Sequence, residues 1–166
     1  MRMPADLVRF AAPVAALFSV AFAVPAAAED MITGTSFDLM IQALTENHFK
    51  VELTKTDEGA PLIRSTDDSD PFSIHFYGCD DNHENCTYIQ FISGWNLKSG
   101  ISLTKIEDWN NTKIWGQAWR DSEQDPWVAV TMNLKGGVSY DNFSDTVDWW
   151  RVTMRDFEKH IGWSNN

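Results

Sequence analysis

Apolar and polar side chains alternate twice between residues 72 and 93, and the two runs flank a polar stretch, Asp80 to Asn85. Period-two alternation predicts two half-buried strands joined as a hairpin. Placing Cys79 opposite Cys86 sets Tyr77 against Tyr88 and His75 against Gln90 on one side. On the other side Phe76 meets Ile89 and Ile74 meets Phe91. A slip of one residue would move every large apolar side chain to the wrong face, so the pattern specifies its own register. A second hairpin is predicted from Ile114 to Asp121 and Trp127 to Leu134 across the polar turn Ser122 to Asp125. Pairing Trp119 with Trp127 sets Ile114, Gly116 and Ala118 opposite Met132, Val130 and Val128. Trp115, Gln117, Trp119, Trp127 and Thr131 then share the other face. Upstream, Lys50 to Thr56 alternates as a strand, Asp57-Glu58-Gly59 is a turn signal, and Pro61 to Ser65 reads as a strand whose proline favours a sheet edge.

Three segments carry helical periodicity. Thr35-Ser36-Phe37-Asp38 has the form of a capping box ahead of Phe37, Met40, Ile41 and Leu44 on one face. Leu103 to Lys113 places Leu103, Ile106 and Trp109 or Asn110 together. Ser139 is positioned to cap a long final helix with Phe143, Val147, Trp150, Met154, Phe157 and Ile161 in one stripe, and Gly162 sits where a terminating glycine belongs. The order α-β-β-β-β-α-β-β-α predicts an α+β fold of two layers: an antiparallel sheet of five to six strands with its helices packed on one face. No internal repeat or low-complexity tract interrupts residues 33–163. The small Gly116 and Ala118 let the last helix approach the sheet, which turns the tryptophans to the helix-free face. That face, with Trp115, Trp119, Trp127, Tyr77, Tyr88 and His75, is the candidate binding surface, because interfaces are enriched in such side chains. If self-complementary, it would serve a homodimer.

The N-terminus changes the compartment. Arg2 and Arg9 flank a short basic region, Phe10 to Val24 is almost wholly apolar, and Ala26-Ala27-Ala28 follows Pro25. This reads as a signal peptide over residues 1–28, cleaved after Ala28; the run is too short, and too broken by Pro13, for a membrane span. Residues 29–166 then form a single domain with 11 basic and 23 acidic residues, a net charge of −12 against −11 for the whole chain. Such a balance argues against nucleic acid and anionic membrane surfaces and would suit a basic partner. Export to the periplasm or beyond permits a disulfide between Cys79 and Cys86, the only two cysteines. Zinc ligation is the competing use, but no second cysteine pair or ligand cluster stands at zinc spacing.

The Phe76-Tyr77-Gly78-Cys79 run, the paired Cys86 with Gln90-Phe91, Trp109-Asn110 at the close of the middle helix, and the aromatic last helix together resemble the YbjN domain family. Members are described as bacterial sensory-transduction regulators, and the resemblance covers residues 33–163. It implies a fold similar to type III secretion chaperones, which bind polypeptide and often dimerise, and it carries no catalytic residues. Secretion chaperones are cytosolic, so the export signal here leaves polypeptide binding as the milder implication.

Chemistry is sparse. The sequence contains no nucleophile elbow, no H-E-x-x-H, and no phosphate or dinucleotide loop. His48, His75, His83 and His160 stand apart in sequence and suit structural roles, and no cofactor is expected. The loop from Asp80 to Asn85 is oxygen-rich but lacks a calcium-loop pattern. Asn85, Asn110 and Asn142 match the glycosylation acceptor pattern, a coincidence in a bacterial chain such as the resemblance implies. The expected function is therefore a non-enzymatic protein-binding or regulatory module. A periplasmic glycan- or small-ligand-binding protein is the alternative, and a hydrolytic enzyme a distant third.

Overall fold

A computed structural model describes residues 30–164 apart from Asp68 and Asp70; the leader expected over residues 1–28 lies outside the described residues. Six antiparallel strands form the main sheet in the order β2-β3-β4-β5-β7-β6. They are β2 (Val51–Lys55), β3 (Pro61–Ser65), β4 (Ser73–Tyr77), β5 (Tyr88–Gly94), β6 (Gln117–Arg120) and β7 (Pro126–Asn133). Helices α1 (Phe37–Glu46), α2 (Leu103–Thr112) and α3 (Tyr140–Ile161) complete the expected α+β order. A small second sheet pairs β1 (Met31–Ile32) with β8 (Val138–Ser139). Two residues per strand are too few for an alternation signal, so nothing in the pattern announced it.

The first hairpin adopts its expected register, with Tyr77 opposite Tyr88, His75 opposite Gln90, Phe76 opposite Ile89 and Ile74 opposite Phe91. Helix α3 dominates the opposing layer because its apolar residues recur at spacings of four and three. Phe143, Val147, Trp150, Met154, Phe157 and Ile161 are all buried. Ser139 Oγ accepts the Asn142 amide at 3.2 Å, and Gly162 ends the helix in a left-handed conformation at φ 75°. Trp150 packs on Phe91 of the sheet with ring centroids 5.8 Å apart, and Phe157 on Trp109 at 4.9 Å. Ser36 caps α1 without a side-chain bond to it; its hydroxyl takes the Thr33 amide instead of completing the expected capping box.

Several expectations are corrected, each for a local reason. Strand β3 lies inside the sheet between β2 and β4, and Pro61 is tolerated because it sits at the strand's first position, ahead of the β4 pairing. Leu103 is exposed at the start of α2, and Ile101 just before the helix is buried in its stead. Gly116, at φ 85°, breaks the alternation before β6, so Trp115 and Ile114 do not continue the strand. A Cβ on Gly116 would stand 2.8 Å from Thr153 Cγ2 of α3, which is why glycine is needed at this close approach. Ile114, expected inside, is fully exposed.

Cys79 and Cys86 form a disulfide. It does not lie on the polar-aromatic side as the alternation implied. Gly78 is left-handed at φ 62°, so strand parity ends at Tyr77, and Cys86 is buried at 4% exposure among the core side chains. Replacing both cysteines with serine is expected to lower stability by about 2.5 kcal/mol, the chain-entropy value for so short a loop. Urea melts of the two proteins check this, and coincident midpoints would contradict it.

Candidate functional site

None of the described helices covers the second face of the sheet, and its side chains follow from the register. Along β5 that face carries Tyr88, Gln90, Ile92 and Gly94, flanked by Ser73, His75 and Tyr77 of β4 and by Trp127, Ala129, Thr131 and Asn133 of β7. Gln117 and Trp119 of β6 complete it. The aromatic residues fall into two clusters. Tyr88 and Gly94 are six residues apart on β5, so at the rise of a strand the clusters are separated by about 20 Å.

At one end the rings of His75, Tyr77 and Tyr88 stack, with centroid distances of 6.3 and 5.3 Å. His75 Nε2 lies 2.9 Å from Ser73 Oγ. Burial pushes the His75 imidazole below its ordinary value, and burial together with the neighbouring Tyr88 pushes the Tyr77 phenol up. Both shifts favour the neutral forms of these two rings. Gln90 Nε2 donates to Thr131 Oγ1 at 3.1 Å in the middle of the face.

At the other end Trp119 and Trp127 stack with nearly parallel planes, 14° apart, and centroids at 6.2 Å. Trp127 is held from two directions. Its ring rests flat on Gly94, where a Cβ would come within 2.6 Å of the indole. Its Nε1–H donates to Asp121 Oδ2 at 2.8 Å. The other oxygen of Asp121 accepts the amides of Glu123 and Asp125, both at 2.9 Å, so the turn between β6 and β7 fixes the carboxylate that fixes the ring. Trp119, 37% exposed, is the outer member of the pair.

Trp115 does not join this face. Its ring lies 6.4 Å from Trp149 of α3, on the helix side of the molecule, beside a cavity of about 450 Å³. Ile114, Trp149 and Val152 line the same cavity and are exposed. None of these three was expected on a binding surface; the available signal was Trp149 and Val152 at i, i+3, off the buried stripe of α3.

Asp80, Asn110 and His160 have structural uses. Asp80 accepts from the amides of Asn82 and Glu84 and from Asn85 Nδ2, which ties the hairpin loop to itself. No group of three or more His, Cys, Asp or Glu able to hold a metal occurs among the described residues. Asn110 donates through Nδ2 to Ala118 O and accepts the Ala118 amide, so α2 shields the β6 edge. His160 Nε2 reaches Lys105 O at 2.8 Å and links α3 to α2. No helix among the described residues is long and apolar enough to cross a membrane.

Carboxylates at such clasps make stability pH-dependent. Hydrogen bonding from Trp127 holds Asp121 below its ordinary value, that from Asn85 does the same for Asp80, and that from Tyr140 for Glu46. Asp67 is lowered to about 2, chiefly by Ser69 and Lys50. Each folded value lies below its unfolded one, so the contribution is present above the unfolded pKa and disappears as pH falls through the folded value. His75, also depressed, adds a decline beginning near 6.5. The melting temperature is expected to fall gently below pH 6.5 and further between about pH 4 and 2, by modest steps because these carboxylates are exposed. Melts followed by circular dichroism check this, and a flat profile down to pH 2 would contradict it.

The family model for YbjN, described as "Putative bacterial sensory transduction regulator", matches residues 36–163. No curated protein matches the chain, and neither does any solved structure.

Proposed function

This chain belongs to the YbjN family, and from that premise we propose that it is an exported, non-enzymatic regulatory module that holds a polypeptide partner against the open face of its sheet. The supporting observation is the Trp119–Trp127 platform, in which the position of Trp127 is set by Gly94 beneath it and by the Asp121 hydrogen bond beside it. A side chain fixed before binding loses little freedom when a partner lands on it, and preorganised aromatic anchors carry a large share of interface energy. The second cluster, about 20 Å away, gives an extended segment of roughly six residues an anchor at each end. The family description supplies the regulatory role, and the disulfide accords with an oxidising compartment.

A second reading is favoured by one feature. An exposed indole, Trp119, stacked on Trp127 beside the Asp121 carboxylate and Gln117, would also suit the flat face of a sugar ring. Binding separates the two. Polypeptides from the compartment in which the protein accumulates should be captured by the wild-type domain and lost with Trp119→Ala. Tryptophan fluorescence that shifts with glycans, together with capture unaffected by Trp119→Ala, would sink the polypeptide reading.

A further inference from the structure

We propose that the groove formed by α2, the α2–β6 connection and α3 is a homodimer interface, in which Ile114 of each copy fills the groove of the other. Ile114 is 105% exposed, more than in an extended chain, so none of the described residues covers it. It is nevertheless held in place. Lys113 before it ends α2, pairs with Asp156 of α3 at 2.7 Å and lies over the Trp109 ring at 5.3 Å. Gly116 after it is pinned against Thr153. A protruding isoleucine therefore stands beside a cavity of about 450 Å³ walled by Trp115, Trp149 and Val152. Trp115 is 41% exposed, Trp149 51% and Val152 48%. A projection and a recess within one patch are what a twofold interface requires, since each copy offers both.

Two observations favour a second copy over other occupants. The first is area. With side chains of this size, the four exposed residues hold on the order of 500 Å² per copy. A twofold pair would remove about 1,000 Å² from these residues alone, near the lower end for a specific interface. The second is charge. The chain carries a net charge of −11, which opposes self-association across an ordinary patch of its surface. The one acid lining this groove, Asp156, is matched by Lys113 at 2.7 Å, and beside it on α3 Asp148 lies 3.7 Å from Arg151. Two copies can meet there without an excess of like charge, whereas a cationic peptide would find no unmatched carboxylate in those pairs. An anionic lipid surface would find no unmatched cation in them. The groove lies on the helix layer, so such a dimer leaves both open sheet faces free.

Sedimentation equilibrium on the full mature chain, from micromolar to hundreds of micromolar, tests the interface. The wild type should be a monomer–dimer system, and Ile114→Asp should weaken the dimer by about a hundredfold or more, as loss of a central anchor does. Since Ile114 touches no core residue, its circular dichroism and melting temperature should match the wild type. Val152→Asp, on the exposed side of α3, provides a second variant with the same expected result. Trp119→Ala should leave the dimer intact, which separates this interface from the open-face site. A wild type that stays monomeric throughout overturns the inference. So does a dimer that survives both aspartate variants, or a monomer whose groove instead takes up cationic peptides or lipid vesicles.

Discussion

Trp150→Ala is expected to destabilise the folded domain by about 3–5 kcal/mol, enough to remove much of the stability of an ordinary domain. Trp150 is fully buried at the centre of the α3 stripe, with its ring 6.2 Å from Phe72 and 5.8 Å from Phe91. Truncation forfeits the transfer energy of the indole and leaves a cavity between a long helix and a sheet, two rigid elements that cannot easily close it. One feature reduces the loss. The Trp150 indole N–H is buried with no hydrogen-bond partner among the described residues, so its removal also relieves a desolvated donor. Trp150→Phe should therefore recover most of the stability, because it keeps ring contacts and drops the orphan donor. Urea melts of the three proteins check both statements, and a loss below 1 kcal/mol for the alanine variant would contradict the packing account.

Trp119→Ala is expected to weaken partner binding by at least about thirtyfold, the equivalent of roughly 2 kcal/mol, while leaving stability nearly unchanged. The two effects separate because Trp119 is the exposed member of its pair and lies outside the helix-side core. Trp127 behaves differently. Its ring covers Gly94 and engages Asp121, so Trp127→Ala should reduce both binding and stability. Affinity and melting temperature measured side by side on the two variants distinguish an anchor from a scaffold residue. Equal loss of stability in both would contradict the division of roles.

Much of the fold was legible because its periodicity is strong. The β4–β5 register follows from four cross-strand pairs that agree, and the α3 stripe from six apolar positions at helical spacing with a serine cap and a terminal glycine. The misreadings cluster at left-handed glycines. Unbroken alternation through Gly116 begins β6 at Ile114, with Trp115 on the open face and Ile114 in the core. The φ of 85° there reverses both. Gly78 did the same to Cys79 and Cys86, moving the disulfide from the aromatic face to the edge of the core. Glycine was visible at both positions, but a glycine inside an alternating run does not announce the sign of its φ. The edge assigned to β3 failed for another reason: a proline at a strand's first residue costs no ladder bond, so it carries little information about sheet position.

The site was legible in part. Trp119 opposite Trp127 and Tyr77 opposite Tyr88 follow from register alone. Their division into two clusters about 20 Å apart required the length of β5. The hold on Trp127 was not readable at all. It depends on Asp121 being oriented by two backbone amides of a turn and on Gly94 lying directly beneath the ring, contacts across three strand ends that no spacing rule records.

The most direct measurement places a photo-crosslinking amino acid at Gln117, exposed on the open face beside Trp119, and in parallel at Glu107, exposed on α2. After irradiation in cells producing the full chain, Gln117 should yield a discrete polypeptide adduct that disappears in a Trp119→Ala background, while Glu107 yields none. Adducts from Glu107 alone, or a Gln117 adduct indifferent to Trp119→Ala, would contradict the assignment of the open face as the binding surface.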